Sequence, residues 1–174
     1  MSETIKVMIS EEEVEAKISE LGRQITEELK GEPVKLICIL RGAAFFACEL
    51  AKRIEAPVYI DFMSASSYGN STESSGQVTI KKDLDDPVEG ENVLVVEDII
   101  DSGRTLSFLL KELKARGAKK VMLCTLLDKP ERRVVEVPID YCGFRIPDQF
   151  VVGYGLDYAQ KYRNLPYIGI VEFD

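Results

Sequence analysis

Three acids and a hydroxyl-rich turn fall close together in the stretch VLVVEDIIDSGRTL, Val93–Leu106. An apolar run ends in Glu97 and Asp98, Asp101 follows, and Ser102-Gly103-Arg104-Thr105 opens a helical pattern. The first N–H groups of a helix have no intrahelical acceptor, and with the positive end of the helix dipole they attract an anion. Gly103 lacks the Cβ that would hold an anion away from the main chain, and Ser102 and Thr105 add hydroxyl donors. A carboxylate in this turn would repel an anion it faced, so Asp101 is expected to point at a neighbouring polar group. Glu97 and Asp98, at a strand end, suit accepting from hydroxyl groups or holding magnesium, directly or through water. A lone acid here would read as a helix cap or a solvated strand end; three beside such a turn read as a site. The turn is not a P-loop, because GxxxxGK[ST] is absent.

Absences narrow the chemistry further. The chain has no histidine, so a His-based triad or His metal site is excluded, and a general base has to be a carboxylate or, less readily, Lys, Tyr or Cys. The net charge of −8 argues against a broad nucleic-acid surface but not against one small phosphorylated ligand. Cys38, Cys48, Cys124 and Cys142 form no CxxC pair and read as buried small hydrophobes in a reducing compartment, with Cys142 left open as a reactive thiol. With 45% apolar residues, 30% charged residues and no apolar run of membrane-spanning length, one globular domain is expected over residues 1–174. The start MSETIKVMIS carries no basic segment followed by an apolar stretch, so no signal peptide is expected and a cytoplasmic location is the default.

The elements that must position these residues alternate in type. Val14, Ile18, Leu21, Ile25 and Leu29 recur at helical spacing over Ser10–Leu29, with Ser10 and Glu13 forming a capping box. VKLICIL (Val34–Leu40) is a continuous apolar run that suits a strand buried on both faces. A helix is expected over Ala43–Ile54, a strand over Val58–Met63, a mobile Ser-rich loop over Ser64–Gln77 and a returning strand over Val78–Lys82. Asn92–Ile100 is a third buried strand, residues 104–116 a helix with Leu106, Leu109, Leu110 and Leu113 on one face, and Lys120–Asp128 a fourth strand. DYCGFR, FVVGYG and YIGIVEF are shorter strand-like pieces. Strands alternating with helices predict an α/β fold with a doubly wound parallel sheet, its ligands beyond the carboxyl ends of the strands.

VVEDIIDSGRT resembles the phosphoribosyl pyrophosphate signature of the type I phosphoribosyltransferases, in wording closest to the hypoxanthine-guanine phosphoribosyltransferases. ILRGA (Ile39–Ala43), SSYG (Ser66–Gly69), LLDKPERR (Leu126–Arg133) and FRIPDQFVVGYGLDYAQKYRNLPYIG (Phe144–Gly169) extend the resemblance over nearly the whole chain. It implies a parallel sheet flanked by helices, with a small hood, mainly from the C-terminal segment, over the site. It implies transfer of a 5-phosphoribosyl group from phosphoribosyl pyrophosphate to hypoxanthine or guanine, with Mg²⁺ as cofactor. Homodimers or homotetramers are implied too, and neither a nucleic-acid nor a membrane partner is expected.

Roles follow residue by residue from that resemblance. Asp101 matches the general base at purine N7, and Asp101, Ser102, Gly103, Arg104 and Thr105 match the 5′-phosphate cradle. Glu97 and Asp98 match the acids near the ribose hydroxyls and the metal. Arg41 and Gly42 match the pyrophosphate loop, which in relatives often has a cis peptide at its first bond, Leu40–Arg41; Arg41 stands where the family often has Lys. Arg163 matches a further pyrophosphate contact, and Ser67 and Tyr68 match a loop that closes over the reaction. Lys129 matches the donor to the purine 6-oxo group, Phe150 the aromatic stacked on the base, and Val151 a backbone contact to its edge. Asp157 matches a ligand, through water, of a second magnesium beside the purine site. Gly155 is Ala in many relatives, and little effect is expected from that difference.

Other readings stay open at this stage. One is an RNA-binding regulator on the same fold, which the net charge disfavours. Another is a signalling receiver domain, which has no use for DSGRT or the Ser-rich loop. A third is a different base, adenine or orotate; Lys129 donates and cannot accept, which disfavours adenine. The ranking of hypoxanthine, guanine and xanthine is not legible.

Overall fold

The structure, a computed structural model, describes residues 2–67 and 77–174. Its elements run β1 (Glu3–Ile9), α1 (Glu11–Leu29), β2 (Val34–Ile39), α2 (Ala44–Ala51), β3 (Val58–Ser67), β4 (Val78–Lys82), β5 (Asn92–Ile100), α3 (Arg104–Ala115), β6 (Lys120–Asp128), β7 (Tyr141–Arg145), β8 (Val151–Val152) and β9 (Ile168–Phe173). The main sheet has the order β4-β3-β2-β5-β6-β7, parallel from β3 through β7 with β4 antiparallel at one edge.

The apolar runs predicted as central strands are buried on both faces, and period 2 sorts their side chains. Leu36 and Cys38 of β2, Leu94 and Val96 of β5, and Met122 and Cys124 of β6 face the core shared with α1 and α2. Ile37 and Ile39, Val93 and Val95, and Leu123 face the core on the α3 side. Each fully buried aliphatic side chain contributes about 1.5–3 kcal/mol relative to exposure, so these two cores hold the sheet flat against its helices. Helix α1 starts as expected: the Ser10 hydroxyl accepts from the Glu13 N–H at 3.2 Å, and the Glu13 carboxylate accepts from the Ser10 N–H at 3.3 Å.

Two element ends and one whole strand differ most from the sequence expectation. Helix α2 ends at Ala51, where Arg53 N–H turns back to the Leu50 carbonyl at 2.9 Å. Strand β3 continues through Ser67 because Ser64–Ser67 pair with β4, so the first four residues of the expected loop are a hairpin arm. Residues 68–76 of that loop, including Tyr68, lie outside the described residues. Strand β1 was not anticipated. It pairs antiparallel with β9, which pairs antiparallel with β8, making a second three-stranded sheet. Among the described residues no helix is long and apolar enough to cross a membrane.

Candidate functional site

A cleft of about 350 Å³ opens at the carboxyl ends of β2 and β5. Gly42, Glu97, Asp98, Asp101, Ser102, Gly103, Thr105, Asp157 and Arg163 line it. The expected site residues therefore converge from three separate segments. Lys129, Arg41, Ser67, Arg104, Phe150 and Val151 are not in its lining.

The turn at the end of β5 is built by its neighbours. Gly103 sits at the N-cap of α3 with φ 85°, in the left-handed region that favours glycine. A Cβ there would lie 2.5 Å from the Val135 carbonyl oxygen and 2.8 Å from Val137 Cγ2. The glycine thus serves close packing against the 133–137 segment as well as main-chain access from the cleft. The Ser102 carbonyl accepts from the N–H groups of Val134 and Val135 at 2.9 and 3.0 Å, and its hydroxyl accepts from the Arg104 N–H at 3.3 Å. Asp101 is exposed and turns toward Lys129, whose Nζ lies 4.0 Å from its Oδ1. The expectation that Asp101 would point to a polar neighbour is met by that ammonium group. Lys129 also lies 3.7 Å from Asp148 Oδ1, with only 11% of its side chain exposed.

Glu97 and Asp98 form the acidic floor. Burial raises the Glu97 carboxyl well above the usual carboxylate range, and the Asp98 charge beside it adds to the rise. Burial also raises Asp98, with hydrogen bonds from neighbouring groups and the Arg163 charge pulling partly the other way. Two crowded carboxylates of this kind favour a proton or a cation between them. Among the described residues no three His, Cys, Asp or Glu side chains converge into a ready-made metal cage. Glu97, Asp98 and Asp157 are therefore separate oxygen donors facing one cleft. That suits a hard divalent ion that keeps waters and takes ligand oxygens, as magnesium does.

Gln160, a residue that sequence reading missed, joins the two cations Arg41 and Arg163. Gln160 Oε1 accepts from Arg41 Nη1 and from Arg163 Nη2, both at 3.2 Å. Arg163 also donates to the Gly155 carbonyl at 2.6 Å and lies 3.4 Å from Asp157 Oδ1. Gln160 itself is anchored by its N–H donating to Asp157 Oδ2 at 2.9 Å, with φ 69°. Strand β1 supports this loop, because Glu3 accepts from Lys161 and, at 2.6 Å, from the Tyr162 hydroxyl. A glutamine between two arginines was the available signal, but their meeting depends on residues 119 apart in sequence.

The peptide Leu40–Arg41 is cis, as the resemblance implied. A Cβ on Gly42 would fall 1.8 Å from Asp98 Oδ2, so only glycine lets this loop lie on the acidic floor. Gly155 corrects an expectation. Its φ is 99°, and a Cβ there would lie 1.9 Å from the Gly42 carbonyl oxygen, so alanine does not fit the observed packing. Phe150 is exposed and meets the Tyr158 ring edge-on, with centroids 5.5 Å apart. Val151 is buried in β8, and Ser67 is the last residue of β3. Burial and the nearby Asp128 charge raise the Cys142 thiol, so it stays protonated near neutrality, and all four cysteines are free.

Comparison with known proteins places this geometry among relatives. The phosphoribosyl transferase domain family matches residues 8–159. Hypoxanthine phosphoribosyltransferase of Salmonella typhimurium is 53% identical over 173 residues, covering 98% of this chain and 97% of that protein. The bifunctional protein TilS/HprT of Listeria monocytogenes is 58% identical over 167 residues; the match takes 96% of this chain but spans only 26% of that protein. A crystal structure of a hypoxanthine-guanine phosphoribosyltransferase from Bacillus anthracis superposes with a TM-score of 0.92 at 51% identity, covering 96% of this chain and 99% of that one. Matched along nearly its whole length in both sequence and fold, the chain belongs to the phosphoribosyl transferase family, alongside the hypoxanthine and hypoxanthine-guanine phosphoribosyltransferases.

Proposed function

We propose that the protein performs purine salvage, transferring the 5-phosphoribosyl group of phosphoribosyl pyrophosphate to hypoxanthine or guanine to give IMP or GMP and pyrophosphate. One observation carries the reading: the cleft sets an anion-binding turn, Asp101–Thr105, beside an acidic floor, Glu97 and Asp98, and opposite Arg163. A sugar phosphate with a second phosphoryl leaving group needs those three features together.

In this reading the main chain of Ser102–Thr105 holds the 5′-phosphate at the start of α3. Glu97 and Asp98 accept from the ribose hydroxyls. Arg41, Gly42 and Arg163, with Ser67 and Tyr68, hold pyrophosphate. Lys129 donates to the purine 6-oxo oxygen, Phe150 covers the ring and Val151 meets its edge. The C1′–pyrophosphate bond breaks as N9 bonds to C1′, and Asp101 takes the proton from N7. Glu97, Asp98 and Asp157 are the residues that would hold Mg²⁺. Bound there, Mg²⁺ neutralises charge on the leaving pyrophosphate.

We also place the enzyme in the cytoplasm and as a homodimer or homotetramer, with the segment around β8 and β9 as a hood over the site in a single domain. The exposed Tyr59 and Ile60 on β3 suit coverage by a second copy. The functional test incubates the protein with phosphoribosyl pyrophosphate, Mg²⁺ and each of hypoxanthine, guanine, xanthine and adenine, and follows nucleotide formation. Product with the 6-oxopurines and little with adenine is expected, and loss of product with EDTA. No nucleotide from any base would refute the reading.

A further inference from the structure

The phosphate turn does not stand on α3 alone. Arg133 lies beneath it, with 14% of its side chain exposed, and its Nε donates to the Asp101 carbonyl oxygen at 3.1 Å. Its Nη2 pairs with Asp128 Oδ1, on a carboxylate only 6% exposed at the end of β6. Arg133 Cδ also lies 3.0 Å from where a Cβ on Gly103 would sit. The next two residues, Val134 and Val135, donate their N–H groups to the Ser102 carbonyl. Successive carbonyls of the turn, those of Asp101 and Ser102, are thus both bound by the segment that Arg133 anchors. A carbonyl fixed toward Arg133 sets the orientation of its peptide plane, and with it the direction of the following N–H group.

We propose that Arg133, anchored by Asp128, is a positioning residue: it orients the Asp101–Ser102 and Ser102–Gly103 peptides so that the turn presents its N–H groups to a sugar phosphate. It touches neither substrate nor the reacting atoms. Arginine suits the task because one planar guanidinium bonds a carbonyl and a carboxylate in fixed relative directions, which a lysine ammonium does not. Asp128 is the fixed end of the device. It stands in register with Ile100 across β5 and β6, and Lys129 N–H donates to the Ile100 carbonyl at 3.0 Å, so the anchor cannot move without the sheet.

This proposal rests on the phosphoribosyltransferase reading, and its test separates the two. Arg133→Gln alone leaves Asp128 buried without its cation, so the informative variant is Arg133→Gln/Asp128→Asn, which removes both charges. Wild type and variant are assayed side by side for nucleotide formation with phosphoribosyl pyrophosphate and hypoxanthine, and their melting midpoints are compared. Losing a charge-assisted hydrogen bond that orders the phosphate site predicts a rise of about 10-fold or more in KM for phosphoribosyl pyrophosphate. KM for hypoxanthine should move by less than about twofold, because the base site keeps its contacts. Arg133→Lys/Asp128→Asn should not rescue. An unchanged KM for phosphoribosyl pyrophosphate in an active variant overturns the proposal. So does a parallel rise in both KM values with a fallen melting midpoint, which marks a merely structural role. A wild type that forms no nucleotide defeats the functional reading itself and this proposal with it.

Discussion

Gly155 packs on Gly42 so closely that a Cβ at position 155 would lie 1.9 Å from the Gly42 carbonyl oxygen. Gly42 in turn lies against Asp98, with 1.8 Å between a notional Cβ and Asp98 Oδ2. The acidic floor, the Leu40–Gly42 loop and the segment around Gly155 therefore form one stack in which each layer sets the height of the next. The glycines allow it, because any side chain would separate the layers.

Gly155→Ala should disturb that stack. Its φ of 99° disfavours a Cβ independently of the clash. A loss of about 1–3 kcal/mol is expected for such a conformation. At roughly 2–4 °C per kcal/mol for a chain of this size, the melting midpoint should fall by several degrees. KM for phosphoribosyl pyrophosphate should rise as the Leu40–Gly42 loop lifts from Asp98. Unchanged melting and kinetics would mean that the loop rests elsewhere in solution.

Asp101→Asn keeps the shape of the side chain and removes its basicity. Turnover measured in a single-turnover experiment at saturating substrates should fall about 10²–10⁴-fold, the usual range for a lost general base. In the proposed reading the 5′-phosphate is held by the main chain, so IMP affinity should change little. Turnover equal to wild type would remove Asp101 from the proton transfer.

Lys129→Met retains an apolar stem and deletes the ammonium. A hydrogen bond from a charged donor contributes about 1.5–3 kcal/mol, so kcat/KM for hypoxanthine should fall roughly 10–100-fold. Adenine, which offers no acceptor at that position, should change far less. A base panel run on both proteins reads this directly, and an equal loss with both bases would contradict the assignment.

Glu97 gives a pH-dependent prediction. Its folded-state pKa is raised by burial and by Asp98. The folded protein favours the protonated form, so stability is lost as pH rises through the folded-state value. Glu97→Gln abolishes that loss. In Mg²⁺-free buffer it should melt higher than wild type near pH 7.5, and the gain should vanish below the unfolded value of about 4.3. Its activity should drop over the same neutral range. A gain of equal size at every pH would assign the effect to packing instead of ionisation.

The parts of the fold that sequence reveals are those in which local pattern and tertiary role agree. Val93–Val96 and Met122–Cys124 are apolar without interruption because both faces of the central sheet are covered, and Leu106, Leu109, Leu110 and Leu113 repeat at helical spacing because α3 buries one face. Strand β1 was illegible because Glu3–Ile9 is only partly buried and its partner β9 lies at the other end of the chain. The site divides the same way. Glu97, Asp98 and Asp101–Thr105 are contiguous, so their chemistry shows in one line of sequence. Gln160 bridging Arg41 to Arg163, and Arg133 bridging Asp101 to Asp128, join segments that only folding brings together.

Whether the turn from Asp101 to Thr105 grips a 5′-phosphate with its main chain is seen at once in a crystal structure with IMP bound. Phosphate oxygens are expected at hydrogen-bond distance, about 2.7–3.2 Å, from the N–H groups of this turn, with the purine ring between Phe150 and the Lys129 ammonium. IMP bound with its phosphate elsewhere, and this turn in contact only with solvent, would contradict it.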